Sequence, residues 1–104
     1  MRIDINGNEV FYGTGSGTPS DAANTLIFVH GAGFDHTIWV MPARYFARHG
    51  WRVVALDLPG HGRSQGQALT SIAQMADWLA QVIDAVSPNE QASVVGHSMG
   101  SLVA

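Results

Sequence analysis

Cysteine is absent from the 104 residues of this sequence. Without a thiol, the chain cannot form a disulfide framework, a thiolate zinc site or a cysteine nucleophile. A cysteine-free composition also suits a reducing compartment, so we expect a cytoplasmic location.

Charged residues are scarce, at 12% of the sequence against 46% hydrophobic residues. The five Lys and Arg are scattered and the formal net charge is −3, so we predict no nucleic acid partner and no membrane partner. No apolar run approaches the roughly 20 residues of a membrane-spanning helix, and the N-terminus lacks a signal-peptide pattern. The length allows at most one domain, over residues 1–104.

Strand and helix patterns alternate along the chain. Alternating apolar residues on both sides of Asn6-Gly7 predict a β-hairpin over residues 1–13. A continuous apolar run over residues 25–29 predicts a strand buried on both faces. Residues 53–56 predict another short buried strand, and the apolar run over residues 92–95 predicts the final strand. Helical patterns over residues 39–49 and 71–86 lie between them, with Phe34 to Thr37 as a loop. The predicted fold class is therefore α/β, an N-terminal β-hairpin followed by parallel βαβ units over residues 25–104.

The second predicted helix has a recognisable start. Ser71 is a predicted N-cap because Gln74 follows three residues later. Its expected core face is formed by residues at helical spacing, namely Ile72, Met75, Ala76, Leu79, Ile83 and Val86. Met75 and Trp78 are predicted to be packing residues, whereas Gln74, Asp77, Gln81 and Asp84 form the polar face.

The last predicted strand runs directly into Gly96-His97-Ser98-Met99-Gly100. This Gly-x-Ser-x-Gly pattern between a strand and a helix start predicts a sharp turn with Ser98 at its tip. Gly96 and Gly100 lack the Cβ atoms that would collide where the strand and the helix cross. The first N–H groups of the helix would be unpaired and could stabilise an oxyanion. A Gly/Ser-rich loop between two elements is the alternative interpretation of the same letters.

A second glycine-rich segment, His30-Gly31-Ala32-Gly33, follows the strand over residues 25–29. Glycines at the end of a central strand let backbone N–H groups approach a ligand, as in an oxyanion hole. A lone histidine here has no partner at metal-ligand spacing. We therefore expect His30 to be partly buried and to orient the loop, rather than to act as a base or metal ligand.

The third segment, Asp57 to Ser64, is dense in turn residues. Asp57 and His61 invite a catalytic interpretation. However, an Asp at a strand end beside a tight turn usually accepts hydrogen bonds from nearby backbone N–H groups. We expect that role for Asp57, with Arg63 close enough to pair with it.

Together, the three segments resemble the α/β-hydrolase superfamily, with closest likeness to its serine esterase, lipase-like and carbon-carbon-bond hydrolase branches. The resemblance implies that Ser98 is the nucleophile, that the N–H groups of Ala32 and Met99 form the oxyanion hole, and that Gly31 and Gly33 shape the loop. It also implies that no cofactor is needed and that His97, whose side chain leaves the turn in another direction, is not the base.

The family's chain order is Ser, then Asp or Glu, then His, so we expect the triad acid and base to lie outside this chain, which corresponds to the N-terminal part of the fold. The alternative is that Asp57 and one of His30, His36, His49 or His61 fill these roles. We also expect the final strand to leave an open edge and the chain to self-associate.

The expected function is hydrolysis of an ester or similar small acyl or carbonyl substrate through an acyl-enzyme on Ser98, inactive without the missing residues. Acyl transfer and carbon-carbon bond hydrolysis on the same residues remain alternatives. A non-catalytic fragment or ligand-binding module is the alternative from another class.

Overall fold

The computed structural model describes residues 1–5, 7–15, 24–31, 33–66, 68–69, 71–86 and 92–97. These residues form five strands, two α-helices and one 3₁₀ turn. In chain order they are β1 (Arg2–Ile5), β2 (Asn8–Gly13), β3 (Asn24–Val29), the 3₁₀ turn (His36–Trp39), α1 (Val40–Arg48), β4 (Trp51–Leu56), α2 (Ile72–Val86) and β5 (Ala92–Gly96).

The strands form one mixed sheet in the order β1-β2-β4-β3-β5. β1 and β2 are the predicted hairpin, with Ile5 opposite Asn8 and Gly7 at φ +84° in the turn between them. β2 is antiparallel to β4, whereas β4, β3 and β5 are mutually parallel. The predicted α/β fold class, with an antiparallel hairpin and parallel strands, is confirmed.

The two helices cover opposite faces of the parallel strands. Along β3, Leu26 and Phe28 pack in one cluster with Ala43 of α1, while Ile27 and Val29 pack in a second cluster with Leu79 of α2. Successive side chains of a strand point to opposite faces, so a strand between two helical layers must be apolar at every position. The continuous apolar run of β3 therefore follows from its central place in the sheet.

The first helix begins differently from the sequence prediction. The chain enters it through the 3₁₀ turn at His36, within the segment predicted as a loop, and α1 itself starts at Val40. The Asp35 side chain caps this turn by accepting a hydrogen bond from Thr37 N at 2.9 Å. At the other end, Gly50 at φ +88° terminates the helix before β4.

The second helix begins as predicted but is rotated about its axis. Ser71 Oγ accepts a hydrogen bond from Gln74 N at 3.1 Å, which is the expected N-cap. The buried residues are Met75, Trp78, Leu79 and Val82. Ile72 and Ala76, predicted to be core, are exposed instead. At 3.6 residues per turn the four buried residues share one arc, and Ile72 and Ala76 lie at its margin. No helix in the described ranges is long and apolar enough to cross a membrane.

Candidate active site

The carboxyl ends of the three parallel strands meet at one edge of the sheet. β3 ends at Val29, β4 at Leu56 and β5 at Gly96, so the segments that follow them lie side by side. His97 N donates to Val29 O at 3.0 Å, which extends the β3–β5 pairing one residue beyond β5. Ligands bind at such edges in open α/β sheets, because the loops there are free to vary.

Several residues proposed from the sequence lie outside the described part of the chain. Ser98, Met99 and Gly100 follow the last described residue, and Ala32 falls between described neighbours. The described members of the same two motifs are His30, Gly31, Gly33, Gly96 and His97. These positions place the starts of both motifs side by side, where the adjacent strands β3 and β5 end.

His30 is completely buried, rather than partly buried as expected, and both of its ring nitrogens are engaged. Nε2 accepts a hydrogen bond from Leu58 N at 3.0 Å, so the ring proton is assigned to Nδ1, which donates to Gly31 O at 2.7 Å. Burial lowers the pKa of His30, partly offset by the bond to Gly31 O. Neither ring nitrogen is available to a substrate. This neutral ring links the start of the loop that follows β3 (the β3 loop) to the segment that follows β4 (the β4 loop).

The β3 loop turns sharply after Gly31. Phe34 N donates to Gly31 O at 3.2 Å, and Gly33 has φ +79°, a conformation that residues with a Cβ rarely adopt. A Cβ at Gly33 would meet nothing within 4 Å, so the glycine is required by backbone conformation and not by crowding.

An aromatic cluster joins the ends of β3 and β5. The His97 ring meets Phe34 edge-on at 5.6 Å between centroids and meets Trp39 edge-on at 6.3 Å. Trp39 in turn stacks on Phe28 at 4.8 Å. The His97 side chain therefore points toward the β3 loop and the 3₁₀ turn.

The Asp57 side chain is fully buried and accepts three hydrogen bonds. Its Oδ1 accepts from His36 N at 2.7 Å and from His36 Nδ1 at 2.9 Å, and its Oδ2 accepts from Arg63 N at 2.9 Å. The expected backbone bond is present, but the expected pairing with the Arg63 side chain is not. The Arg63 guanidinium instead lies over the Phe11 ring, 5.2 Å from its centroid. A guanidinium on an aromatic face keeps contact with water, whereas pairing with Asp57 would require its desolvation.

The family profile described as the alpha/beta hydrolase fold matches residues 24–104. The chain belongs to this family. It is 43% identical over 102 residues to a dihydrolipoyllysine-residue acetyltransferase component of an acetoin cleaving system from Cupriavidus necator, covering 97% of this chain and 26% of that protein. It is 32% identical over 105 residues to an (E)-2-((N-methylformamido)methylene)succinate hydrolase from Acinetobacter baylyi, covering 99% of this chain and 36% of that protein.

Solved structures agree with the assignment to the α/β-hydrolase fold. A thioesterase domain from the curacin biosynthetic pathway superimposes with a TM-score of 0.79 at 28% identity, over 100% of this chain and 38% of that chain. The present chain thus spans about a quarter to a third of the length of the curated relatives named above. The relatives include hydrolases and a thioesterase, which supports the general hydrolase type.

Among the described residues, His36 is the histidine whose side chain bonds to Asp57. This pair lies too far from the end of β5 to form the alternative triad with Ser98. The ring of His36 packs against Phe11 of β2 at 4.9 Å, and β2 and β5 are separated by three steps in the order β2-β4-β3-β5. At roughly 4.8 Å a step, this is about 14 Å, too far for His36 to hydrogen-bond a hydroxyl that directly follows β5.

The other two histidines of the alternative triad engage backbone near their own positions. His49 Nδ1 bonds to Tyr45 O at 2.6 Å in α1, and His61 Nδ1 bonds to Pro59 O at 3.1 Å. Neither makes a side-chain bond to Asp57 among the residues described here.

Asp35, His36 and Asp57 are the described residues whose ligand atoms come close enough to hold a metal, within 4.8 Å of one another. Each is already engaged in the protein. Hydrogen bonds from Thr37 lower the pKa of Asp35, and both Asp57 oxygens accept N–H groups. The cluster is therefore satisfied by internal hydrogen bonds.

Sequence reasoning missed the role of His36, which it treated only as a possible base. The available signal was its position after a glycine-rich strand end, in the same loop as His30. That signal does not identify Asp57, 21 residues away, as the partner.

Proposed function

We propose that this chain carries the nucleophile segment of a serine hydrolase that acts on an ester or similar small acyl substrate, with Ser98 as nucleophile. One observation carries the proposal. The hydrogen bond from His97 N to Val29 O holds the start of the Gly-x-Ser-x-Gly motif beside the end of β3, where the glycine loop begins. A nucleophile and oxyanion donors must lie within a few ångströms of one carbonyl group, and this pairing of strand ends favours that arrangement.

In the proposed reaction, Ser98 Oγ attacks the carbonyl carbon while a histidine takes its proton. The carbonyl π electrons move to oxygen, and the N–H groups of Ala32 and Met99 stabilise the resulting oxyanion. Collapse expels the alcohol or thiol, which takes the proton from the histidine, and leaves an acyl-Ser98 ester. Water, deprotonated by the same histidine, then hydrolyses that ester. We place this histidine and its acidic partner outside residues 1–104, because His36 and Asp57 lie on the β2 side of the sheet.

The relatives support a carbonyl substrate but not one particular compound. One is named as a succinate-derivative hydrolase and another as a thioesterase. Hydrolysis of an acyl group is the chemistry that a serine nucleophile and an oxyanion hole would share across such substrates.

Acyl transfer is a second candidate. The relative with 43% identity is named as an acetyltransferase component, and its match covers almost the whole of this chain. The same acyl-Ser98 intermediate would serve both reactions, with a thiol or alcohol in place of water as the acceptor. Carbon-carbon bond hydrolysis would use the same Ser98, whereas ligand binding without turnover predicts no selective labelling of Ser98 in the test below.

A fluorophosphonate probe tests the proposal in the longer protein that supplies the histidine, because a serine reacts rapidly with this probe only when a base activates its hydroxyl. We expect one label per chain, located by peptide mass spectrometry at Ser98, absent from Ser98→Ala and retained in Ser93→Ala, whose serine is exposed on β5. For residues 1–104 alone, which lack the base in this proposal, we expect neither rapid labelling nor steady turnover of a p-nitrophenyl ester above the Ser98→Ala variant. Labelling spread over other serines, or equal in the parent and Ser98→Ala, contradicts a serine nucleophile. Turnover above Ser98→Ala places a base within these residues.

A further inference from the structure

The loop that follows β3 is fastened to the β4 loop at two points. His30 Nε2 accepts from Leu58 N at 3.0 Å at the start of the loop, and His36 bonds to Asp57 at its end. The five residues between them, 31–35, include Ala32. Both attachments are made by histidine to the segment that follows β4.

The second attachment has the features of a strong one. His36 contacts Asp57 Oδ1 twice, through its backbone N at 2.7 Å and its Nδ1 at 2.9 Å. The Asp57 side chain is fully buried and that of His36 is 20% exposed, so water competes little for these bonds. Hydrogen bonds to a carboxylate are stronger than neutral ones, and exclusion of water preserves that strength.

Asp57 is itself fixed from the opposite side, which makes it a firm acceptor. Its Oδ2 accepts from Arg63 N at 2.9 Å, and its backbone N donates to Phe11 O at 3.0 Å. Ser64 Oγ donates to Asp57 O at 2.6 Å and accepts from Phe11 N at 2.9 Å. The Asp57 backbone is therefore anchored to β2, and its carboxylate is held by the segment that follows β4.

We infer that His36 is a positioning residue for the loop over residues 31–35, which would carry an oxyanion donor. Its Nδ1–H, held by Asp57, fixes the end of the loop in the way that His30 fixes its start, and so orients the segment that carries the Ala32 N–H. This inference rests on the proposed function for its catalytic meaning. The donors of an oxyanion hole act only when they are held in place before the reaction, so a loosened loop slows the chemical step more than it weakens substrate binding.

Two substitutions separate the hydrogen bond from the bulk of the ring. His36→Phe keeps an aromatic ring against Phe11 and the backbone N–H bond to Asp57, but removes the Nδ1 donor. His36→Asn removes most of the ring but places an N–H₂ group at the same number of bonds from Cβ as Nδ1, so it can still donate to Asp57. His49→Phe is the matched control, because His49 is an exposed histidine directly after α1 that stacks on Tyr45 at 4.2 Å.

The first measurement is amide hydrogen exchange by NMR, which does not depend on catalysis. The reporter is the Phe34 N–H, bonded to Gly31 O inside the loop. We expect its exchange to be about tenfold faster in His36→Phe, and within about twofold of the parent in His36→Asn and His49→Phe. Exchange in His36→Phe that matches the parent overturns the inference, as does equal acceleration in His36→Asn.

The second measurement is the rate of fluorophosphonate labelling at Ser98, made in the longer protein that supplies the histidine base. We expect an about tenfold lower maximal rate in His36→Phe with an unchanged half-saturating probe concentration, and recovery in His36→Asn. A merely structural role would lower thermal stability without this rate effect. If Ser98 of the parent does not label, the proposed function fails while the exchange result still decides the positioning of the loop. Should His36→Phe lose its dispersed spectrum, His36→Leu replaces it, since a leucine side chain has no donor for Asp57.

Discussion

Asp57 has no exposed surface, and its environment compensates for the loss of water. A buried carboxylate without donors is destabilising by several kcal/mol, whereas each charge-assisted hydrogen bond returns about 1.5 to 3 kcal/mol. His36 and Arg63 supply three N–H groups to the two carboxylate oxygens. Gly62 completes the site because a Cβ at this position would lie 2.4 Å from the carboxylate carbon. The carboxylate therefore depends on a glycine as well as on its donors.

Gly62→Ala should be more destabilising than an alanine at another glycine of positive φ. Gly62 has φ +50° and its added Cβ would overlap the Asp57 carboxylate, so we expect a loss of about 3 kcal/mol in the free energy of unfolding. Gly50→Ala is the control, since Gly50 has φ +88° and open space around it, and only the backbone strain of about 1 kcal/mol applies. Urea unfolding of both variants measures the difference. Equal losses would show that the contact with Asp57 is unimportant.

The partner of Asp57 shows the limit of sequence prediction for single residues. An Asp after a strand and before a glycine turn indicated backbone donors, and Arg63 N is one of them. His36 could not be identified because its approach depends on the 3₁₀ turn that starts at that residue, in a segment predicted as a loop. The Arg63 side chain was misassigned because sequence distance ignores the Phe11 ring, which comes from β2. Pairings set by tertiary packing are invisible to local patterns.

Elements were more predictable than contacts, because their signals are local. An Asn-Gly turn between alternating residues defines the β1–β2 hairpin, and the apolar run of β3 reflects burial on both faces. The rotation of α2 was not predictable in the same way. Trp78 and Val82 are buried because the hairpin and sheet determine which arc of the helix is covered, while Ile72 remains 37% exposed. Periodicity predicts that a helix has an apolar face, but its packing partners select the centre of that face.

The start of α2 provides a test at a single hydrogen bond. Ser71→Ala removes the Oγ acceptor for Gln74 N and should lower the free energy of unfolding by about 1 kcal/mol. Ser71→Asp should keep the stability of the parent, because a carboxylate caps the same N–H and interacts favourably with the helix dipole. Urea unfolding followed by circular dichroism measures both, with exposed Ser93→Ala as the control. A loss in Ser71→Asp as large as that in Ser71→Ala would contradict the N-cap.

Within the described part of the chain, β5 is the last strand on one side of the sheet. Among the described residues β5 pairs only with β3, and Val95 on this strand is 40% exposed. A strand at the edge of a sheet offers the N–H and C=O groups of its outer side to any similar strand, and exposed apolar side chains favour such pairing. We therefore propose that chains of this length associate through β5.

Val95→Lys should reduce this association, since a lysine on an edge strand opposes pairing with a second copy by charge repulsion and by the cost of desolvation. We expect the parent chain to sediment as dimers or larger species at micromolar concentration, and Val95→Lys to shift toward the monomer by about tenfold in dissociation constant. Gln81→Lys adds the same charge on the exposed face of α2, away from the strand edge, and should leave association unchanged. Sedimentation velocity over a concentration series distinguishes these cases. A monomeric parent would show that the chain does not associate through β5. An equal shift in both variants would show that net charge or another surface, and not β5, controls the association.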